Sequence, residues 1–140
     1  MTIYVDTSVL VSLFAGDAHT SRAEGALRNS TDQIAVNALT GLEFTSAVNQ
    51  FHTSHKVSRN QCEDILTDYS QWIAGNAISL ELKNQTFFEA SNILAQLRFN
   101  LRGPDALHIA ICRAASATLL TFDVNMATAA RALGVDVFDA

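Results

Sequence analysis

This 140-residue chain contains four carboxylates that could lie close together in the folded protein and act as one site. Asp6 and Asp123 each follow a short apolar run, Asp105 stands directly behind the only proline, and Glu43 lies beside the apolar stripe of a predicted helix. Converging carboxylates repel one another, so either some of their pKa values rise or a divalent cation neutralises them. The sequence offers no Cys/His set to complete a zinc site, and an all-oxygen set suits Mg²⁺ or Mn²⁺.

Each of these acids also has an ordinary structural interpretation. Asp6, Asp105 and Asp123 all stand where a predicted helix begins, and an aspartate there caps free N–H groups and meets the positive end of the helix dipole. Glu43 could be a solvated helix residue. Spacing alone does not separate capping from metal binding, so both interpretations stay open at this point.

The elements that must position these acids alternate between strands and helices. Strands are predicted over residues 3–5, 33–36, 77–80, 117–121 and 135–138. Helices are predicted over residues 9–15, 19–29, 39–55, 58–73, 86–99, 104–112 and 123–133. Such alternation predicts a three-layer α/β/α sandwich with a mainly parallel central sheet, formed as a single domain over residues 1–140. Ligands of such sheets bind at the carboxyl ends of the strands, where Asp6 and Asp123 would both project.

The composition restricts the class of protein. Charged residues make up 16% of the chain, against a usual share of about 25%, and 49% of residues are apolar, which excludes disorder and coiled coil. The 14 acidic and 9 basic residues give a net charge of −5, which argues against a passive nucleic-acid coat. Cys62 and Cys112 are predicted to be free, buried thiols. Without a signal peptide or membrane span in the sequence, we expect a cytoplasmic protein.

Several short motifs in a fixed order resemble a known family. They are Tyr4-Val5-Asp6-Thr7-Ser8-Val9-Leu10, Leu42-Glu43-Phe44, Asp105-Ala106-Leu107-His108-Ile109-Ala110 and Thr121-Phe122-Asp123. The chain resembles the PIN-domain nucleases over essentially its whole length and, within them, is similar to the VapC-type toxins of bacterial toxin–antitoxin pairs. The resemblance implies a metal-dependent endoribonuclease that hydrolyses RNA by in-line attack on a phosphodiester.

The resemblance also implies roles for particular residues. Asp6, Glu43, Asp105 and Asp123 match the acidic quartet of the family and would hold one or two Mg²⁺ or Mn²⁺ ions, which would neutralise much of the net negative charge. Ser8 matches a hydroxyl that supports the metal shell. Asn125 stands where some members carry a further acid, and it offers a carbonyl oxygen without charge. For His108, the resemblance and helix packing both favour a structural role.

Partners follow from the same resemblance. It implies an RNA substrate, tRNA or rRNA, a small cognate antitoxin and a homodimer, with no membrane. Arg98 and Arg102 stand just before Asp105 and are predicted to contact phosphates, although a solvated helix end explains them as well. Phe44 and Phe51 are predicted to belong either to the core or to a dimer or antitoxin-binding face.

Three other functions compete with this interpretation. The first is an RNA-processing nuclease without an antitoxin, and the second is a non-catalytic α/β binding module whose acids serve as caps and ion-pair partners. The third is a phosphatase built around Asp6, which is disfavoured because such enzymes normally carry a second aspartate two residues on, where Ser8 stands.

Overall fold

Four parallel strands form the centre of the structure, a computed structural model that describes residues 1–28 and 30–139. The strands are β1 (Thr2–Val5), β2 (Gln33–Val36), β3 (Ala77–Ser79) and β4 (Thr118–Leu120). Their spatial order is β3-β2-β1-β4, so β1 is central, and its Tyr4 pairs with Ala35 on one side and Leu119 on the other. This arrangement confirms the predicted parallel sheet.

Helices cover both faces of the sheet. They are α1 (Thr7–Val11), α2 (Thr20–Arg28), α3 (Ala38–Thr53), α4 (Arg59–Asn76), α5 (Asn84–Ala95), α6 (Gly103–Ala114) and α7 (Val124–Ala132), with a π-helical turn over Ser12–Gly16 after α1. Side chains of β1 alternate between the faces. Tyr4 packs among residues of α5, α6 and α7, whereas Ile3 and Val5 pack among residues of α1 to α4. Two cores on either side of one sheet confirm the three-layer sandwich.

Local signals place several helix boundaries correctly. Ser58 caps α4 through its side chain, which accepts a hydrogen bond from the Gln61 N–H at 3.2 Å. Pro104 lies in the first turn of α6, where its missing N–H and fixed φ cost nothing. The predicted end of the second helix at residue 29 lies outside the described residues. Cys62 and Cys112 are free and buried, as predicted.

Two predicted elements differ in the structure. Helix α5 ends at Ala95 instead of residue 99, because Leu97 takes a left-handed φ of 55° and its side chain lies in solvent, 91% exposed. The buried stripe of this helix is Thr86, Ala90 and Ile93, and Phe88 faces outward. The predicted strand 135–138 is reduced to one parallel bridge between Val137 and Leu119. Both differences arise where the neighbouring elements, rather than local propensity, decide the conformation.

Phe44 belongs to the core rather than to a dimer or antitoxin face. Its side chain is fully buried, and its ring stacks on Tyr69 with centroids 4.0 Å apart. Phe14 meets both rings edge-on, and Phe51 is half-buried. This aromatic cluster fixes α3, which carries Glu43, against α4. Within the described parts of the chain, we find no helix with the length and apolarity of a membrane span.

Candidate metal centre

The carboxyl edge of the sheet collects the four predicted acids from four elements. Asp6 follows β1, and its N–H extends the sheet ladder by donating to the Leu120 carbonyl at 2.9 Å. Asp123 follows β4 and begins α7, and Asp105 lies in the first turn of α6. Glu43 lies in the second turn of α3, which starts just after β2. The topology therefore brings together residues that are far apart in sequence, as the position of strand ends predicts.

Asp6 is buried and held by two hydroxyl groups. Its Oδ2 accepts hydrogen bonds from Ser8 Oγ at 2.7 Å and from Thr121 Oγ1 at 2.8 Å. No side-chain capping bond joins Asp6 to α1, so the capping interpretation is wrong for this residue. A carboxylate only 4% exposed is costly unless it is paired, and these two bonds satisfy one of its oxygens.

Glu43 is held by Thr7 and His108. Its Oε1 accepts from Thr7 Oγ1 at 2.9 Å and forms a short contact with Nε2 of His108. Burial alone would raise the pKa of the Glu43 carboxyl, but the hydrogen bond and charge of His108, together with the Thr7 bond, bring that pKa below its ordinary value. Glu43 is therefore an ionised acceptor at neutral pH.

His108 lies beneath these carboxylates, fully buried. One ligand atom each from Asp6, Glu43 and His108 lies within 4.8 Å of the other two, so the imidazole is a possible metal ligand by distance. In this structure Nε2 of His108 contacts Oε1 of Glu43, and an ionised Glu43 accepts the hydrogen that Nε2 carries. In this arrangement the ring orients the acid.

Asp105 and Asp123 share an open cleft beside this group. The cleft has a volume of about 320 Å³ and is lined by Asn100, Arg102, Asp105, Asp123 and Asn125. Asp105 Oδ2 accepts from the Arg102 N–H at 3.0 Å, and Asp123 Oδ1 accepts from the Met126 N–H at 3.0 Å. Asp123 thus caps α7 as predicted, whereas Asp105 lies within the first turn of α6 and accepts the N–H of the N-cap residue Arg102. Each bond uses only one oxygen of the carboxylate.

A common pattern joins the four carboxylates. In each, one oxygen is held by hydrogen bonds from the protein, while the other accepts none among residues 1–28 and 30–139. The second oxygen of Asp6, Oδ1, lies 3.7 Å from Nε2 of His108, beyond hydrogen-bond distance. Burial raises the pKa of the Asp105 carboxyl above its ordinary value, and the charges of the other three acids add to this rise. Oriented carboxylates that repel one another and keep an open oxygen fit a divalent cation.

The other predicted site residues divide into two groups. Ser8 holds Asp6, and Arg102 and Asn125 line the cleft beside Asp105 and Asp123. Arg98 does not line this cleft. Its guanidinium lies 4.9 Å from the centroid of the Phe99 ring and donates to Gln96 Oε1 at 3.3 Å.

Comparison with known proteins assigns the family. The family model of the PIN domain matches residues 3–132. The chain belongs to the PIN-domain family. Members of this family are nucleases. Among curated proteins, no sequence matches this PIN domain.

Solved structures share the fold of this PIN domain at low sequence identity. VapC20 of Mycobacterium tuberculosis, described as a sarcin-ricin loop cleaving toxin, has a TM-score of 0.74 and 17% identity, covering 91% of this chain and 94% of its own. VapBC2 of Rickettsia felis, solved with a promoter DNA fragment, has a TM-score of 0.72 and 16% identity, covering 100% and 99%. FitAcB of Neisseria gonorrhoeae has a TM-score of 0.71 and 17% identity, covering 98% and 96%.

Sequence reasoning predicted Ser8 but missed three other hydroxyl groups that hold the acids of this PIN domain or their neighbour His108. Thr7 and Thr121 each donate to a carboxylate, and Tyr4 contacts His108 through its hydroxyl. Both threonines stand inside the motifs Asp6-Thr7-Ser8 and Thr121-Phe122-Asp123, so the motif itself carried a signal. Nothing local signalled Tyr4, because its partner is 104 positions away.

Proposed function

We propose that this PIN domain is a Mg²⁺- or Mn²⁺-dependent endoribonuclease that hydrolyses phosphodiester bonds in RNA. The observation that supports this most is the shared pattern of the four carboxylates, each with one oxygen anchored and one that accepts no hydrogen bond from the described residues. A purely structural cap or ion-pair partner has no need of three neighbouring carboxylates whose charges oppose its own ionisation. The pattern therefore favours the nuclease over the non-catalytic binding module.

The residues present fit a hard divalent cation. Asp6, Glu43, Asp105 and Asp123 would hold one or two such ions, with Ser8 fixing Asp6 and the carbonyl of Asn125 available at the rim. When bound, the cation neutralises charge at the phosphate and leaving oxygen and lowers the pKa of attacking water. Because Asn125 stands where some members of the family carry a further acid, less negative charge is available to bind a second ion.

The chain's own residues would orient the acids and contact the phosphate. Ser8 and Thr121 fix the rotamer of Asp6, and Thr7 and His108 fix that of Glu43, so these acids need no reorganisation when substrate binds. Arg102 lines the cleft with Asp105 and would contact the phosphate of the RNA strand as a charge-assisted donor.

The test is cleavage of structured RNA by the purified protein. We expect cleavage with Mg²⁺ or Mn²⁺ that stops with EDTA and in Asp6→Asn and Asp123→Asn, each of which keeps the shape of the side chain but removes its charge. Asp64→Asn, which changes an exposed acid of α4, is the matched control and should cleave normally. Cleavage that survives both EDTA and the two site variants would contradict the proposal.

We further propose that the protein is a cytoplasmic toxin neutralised by a small antitoxin and that its substrate is tRNA or rRNA. The supporting observation is the shared fold with toxin–antitoxin proteins from several bacteria, which at this identity supports a hypothesis of function. Mapping RNA ends after induced expression, with Asp123→Asn as the inactive control, tests it. Growth arrest with discrete new ends is expected, whereas unchanged growth and no short neighbouring gene would favour an RNA-processing nuclease.

The proposed homodimer needs an apolar surface, and α5 offers one. Phe87 and Phe88 are adjacent on this helix and are 48% and 65% exposed. Large exposed apolar side chains that lie side by side favour contact with another protein surface. Light scattering on the purified chain should give the mass of a dimer, and Phe88→Glu should shift it to the mass of a monomer with an unchanged far-ultraviolet circular dichroism spectrum.

A further inference from the structure

A second groove adjoins the acidic cleft through Asp123. It has a volume of about 220 Å³ and is lined by Arg22 of α2, Phe122, and one face of α7 that includes Arg131. Asp123 lines both this groove and the cleft of Asp105, so the two cavities share this residue. A chain molecule held at the carboxylates could therefore continue into the groove.

The groove combines an aromatic ring with two guanidinium groups. The Arg22 guanidinium carbon lies 4.4 Å from the centroid of the Phe122 ring, and the ring of His19 lies 5.6 Å from the same ring. The Phe122 N–H donates to Ser8 Oγ at 3.2 Å, and that hydroxyl in turn holds Asp6. The backbone of Phe122 is thus tied to the hydroxyl that holds Asp6.

The few basic residues of this acidic chain are distributed unevenly. Of the 9 Lys and Arg residues, Arg22, Arg102 and Arg131 line the two connected cavities. Arg131 lies 3.1 Å from Asp139, but both side chains are largely exposed, and such a pair contributes little and exchanges partners readily. Asp123 and Asp139 also line the groove, so its two guanidinium groups make it near neutral within an acidic chain, which permits a polyanionic ligand to approach there.

We propose that this groove binds the single-stranded RNA segment that flanks the scissile phosphate, with Arg22 and Arg131 contacting phosphates and Phe122 contacting a base. Arg131 lies eight residues beyond Asp123, about 12 Å along the axis of α7, so it reaches a phosphate other than the one hydrolysed. Stacking on Phe122 tolerates any base, whereas the arginines supply the charge. This inference rests on the proposed nuclease function.

The test measures binding of a fluorescein-labelled single-stranded RNA of about 15 nucleotides, a length that spans a site of this class. Fluorescence anisotropy in Mg²⁺ uses Asp105→Asn as the background, so that the RNA stays intact. We expect Arg22→Ala and Arg131→Ala each to weaken binding roughly tenfold. Each should also reduce the slope of log K against log salt by about 0.7, the value for one lost phosphate contact on a single strand.

Two further variants distinguish base stacking from charge, and a charge in the groove from a charge elsewhere on the protein. Phe122→Leu should weaken binding while leaving the salt slope unchanged, because it removes a ring and no charge. Arg113→Ala removes the same charge as the arginine variants, but it lies in the last turn of α6, about 12 Å along that helix from Asp105, and should bind as the parent does. Melting temperatures of all variants show whether any of them unfolds.

The outcomes distinguish this inference from the function on which it rests. If Arg22→Ala and Arg131→Ala keep the parent's affinity and salt slope while the wild-type chain still cleaves RNA, the groove does not bind RNA. The proposed nuclease function is then still supported. If the two variants keep RNA affinity but lose binding to the antitoxin, the groove belongs to the protein partner and the inference is again wrong. Absence of any metal-dependent RNA cleavage by the wild type overturns the proposed nuclease itself.

Discussion

The hydroxyl of Tyr4 lies 2.6 Å from Nδ1 of His108, in the fully buried layer beneath the acidic edge. Burial raises the pKa of this hydroxyl well above its ordinary value, so Tyr4 keeps its proton. The Tyr4 hydroxyl therefore holds the ring at Nδ1, while Nε2 on the other side of the ring contacts Glu43. The tyrosine of the central strand thereby fixes the direction of a carboxylate that it does not touch.

Removal of the Tyr4 hydroxyl is expected to destabilise the folded protein. Tyr4→Phe leaves a buried imidazole nitrogen without a partner, which should lower the free energy of unfolding by about 1 to 3 kcal/mol. Urea unfolding measures the change. Tyr69→Phe is the matched control, because Tyr69 is similarly buried and its hydroxyl forms no hydrogen bond among residues 1–28 and 30–139. Equal stability of Tyr4→Phe and the wild type would contradict the assigned bond.

Replacing His108 should show whether its ring orients Glu43 or only fills space in the core. His108→Gln keeps an N–H donor within reach of Glu43, whereas His108→Leu keeps volume and removes the donor. We expect His108→Leu to weaken Mn²⁺ binding, measured by titration calorimetry, by roughly 10- to 100-fold, the usual effect of losing a group that orients a ligand. His108→Gln should recover part of that loss. If both variants bind Mn²⁺ equally, the ring is only a packing residue.

Added metal should stabilise the protein. A cation present at 100 times its dissociation constant adds about 2.7 kcal/mol to the free energy of unfolding, which corresponds to roughly 5 to 10 °C in melting temperature. Thermal scans with Mn²⁺ and with EDTA measure this shift. Asp105→Asn should reduce it, while Asp64→Asn on the exposed face of α4 should not. A wild-type protein that does not respond to millimolar Mn²⁺ or Mg²⁺ would favour the binding module.

Acid pH should remove the stability that Glu43 contributes. Its folded pKa lies below the ordinary value of 4.5, so on acidification the unfolded chain takes up the proton first. The contribution is present above pH 4.5 and is lost as the pH falls through the folded pKa. The raised pKa of Asp105 acts in the opposite direction, since its neutral form favours the fold at low pH.

Glu43→Gln therefore should flatten the acid side of the stability profile. Urea midpoints collected between pH 3 and pH 6 measure that slope, and Glu81→Gln, an exposed acid outside the site, serves as the control. A steeper acid slope in Glu43→Gln than in the wild type would show that the sign is wrong.

Arg102 and Arg98 should behave differently in RNA cleavage. Arg102 lines the cleft with Asp105, whereas Arg98 lies over Phe99 away from it. Arg102→Ala should raise KM several-fold with little change in kcat, since it removes binding common to the ground state and the transition state. Arg98→Ala, which removes the same charge, should leave both constants near wild type. Equal effects from the two variants would show that net charge alone matters.

Much of the fold was predictable because its signals are local. The β-branched run of β1, the Ser58 cap and Pro104 each act within a few residues, so their elements follow from sequence. The end of α5 and the bridge at Val137 were not predictable in the same way. Each depends on where a neighbouring element leaves room, and apolar periodicity carries no information about that.

For the site itself, the sequence determined the chemical types and the edge at which they meet. Asp6 and Asp123 follow strands, and the carboxyl ends of parallel strands lie together in any sheet of this topology. Only the tertiary structure decided which oxygen of each acid is held and which is open. His108 and Glu43 are 65 positions apart, and they meet only after α6 and α3 have packed against opposite faces of β1. Hydrogen bonds over such separations depend on strand register and helix packing, which no local propensity specifies.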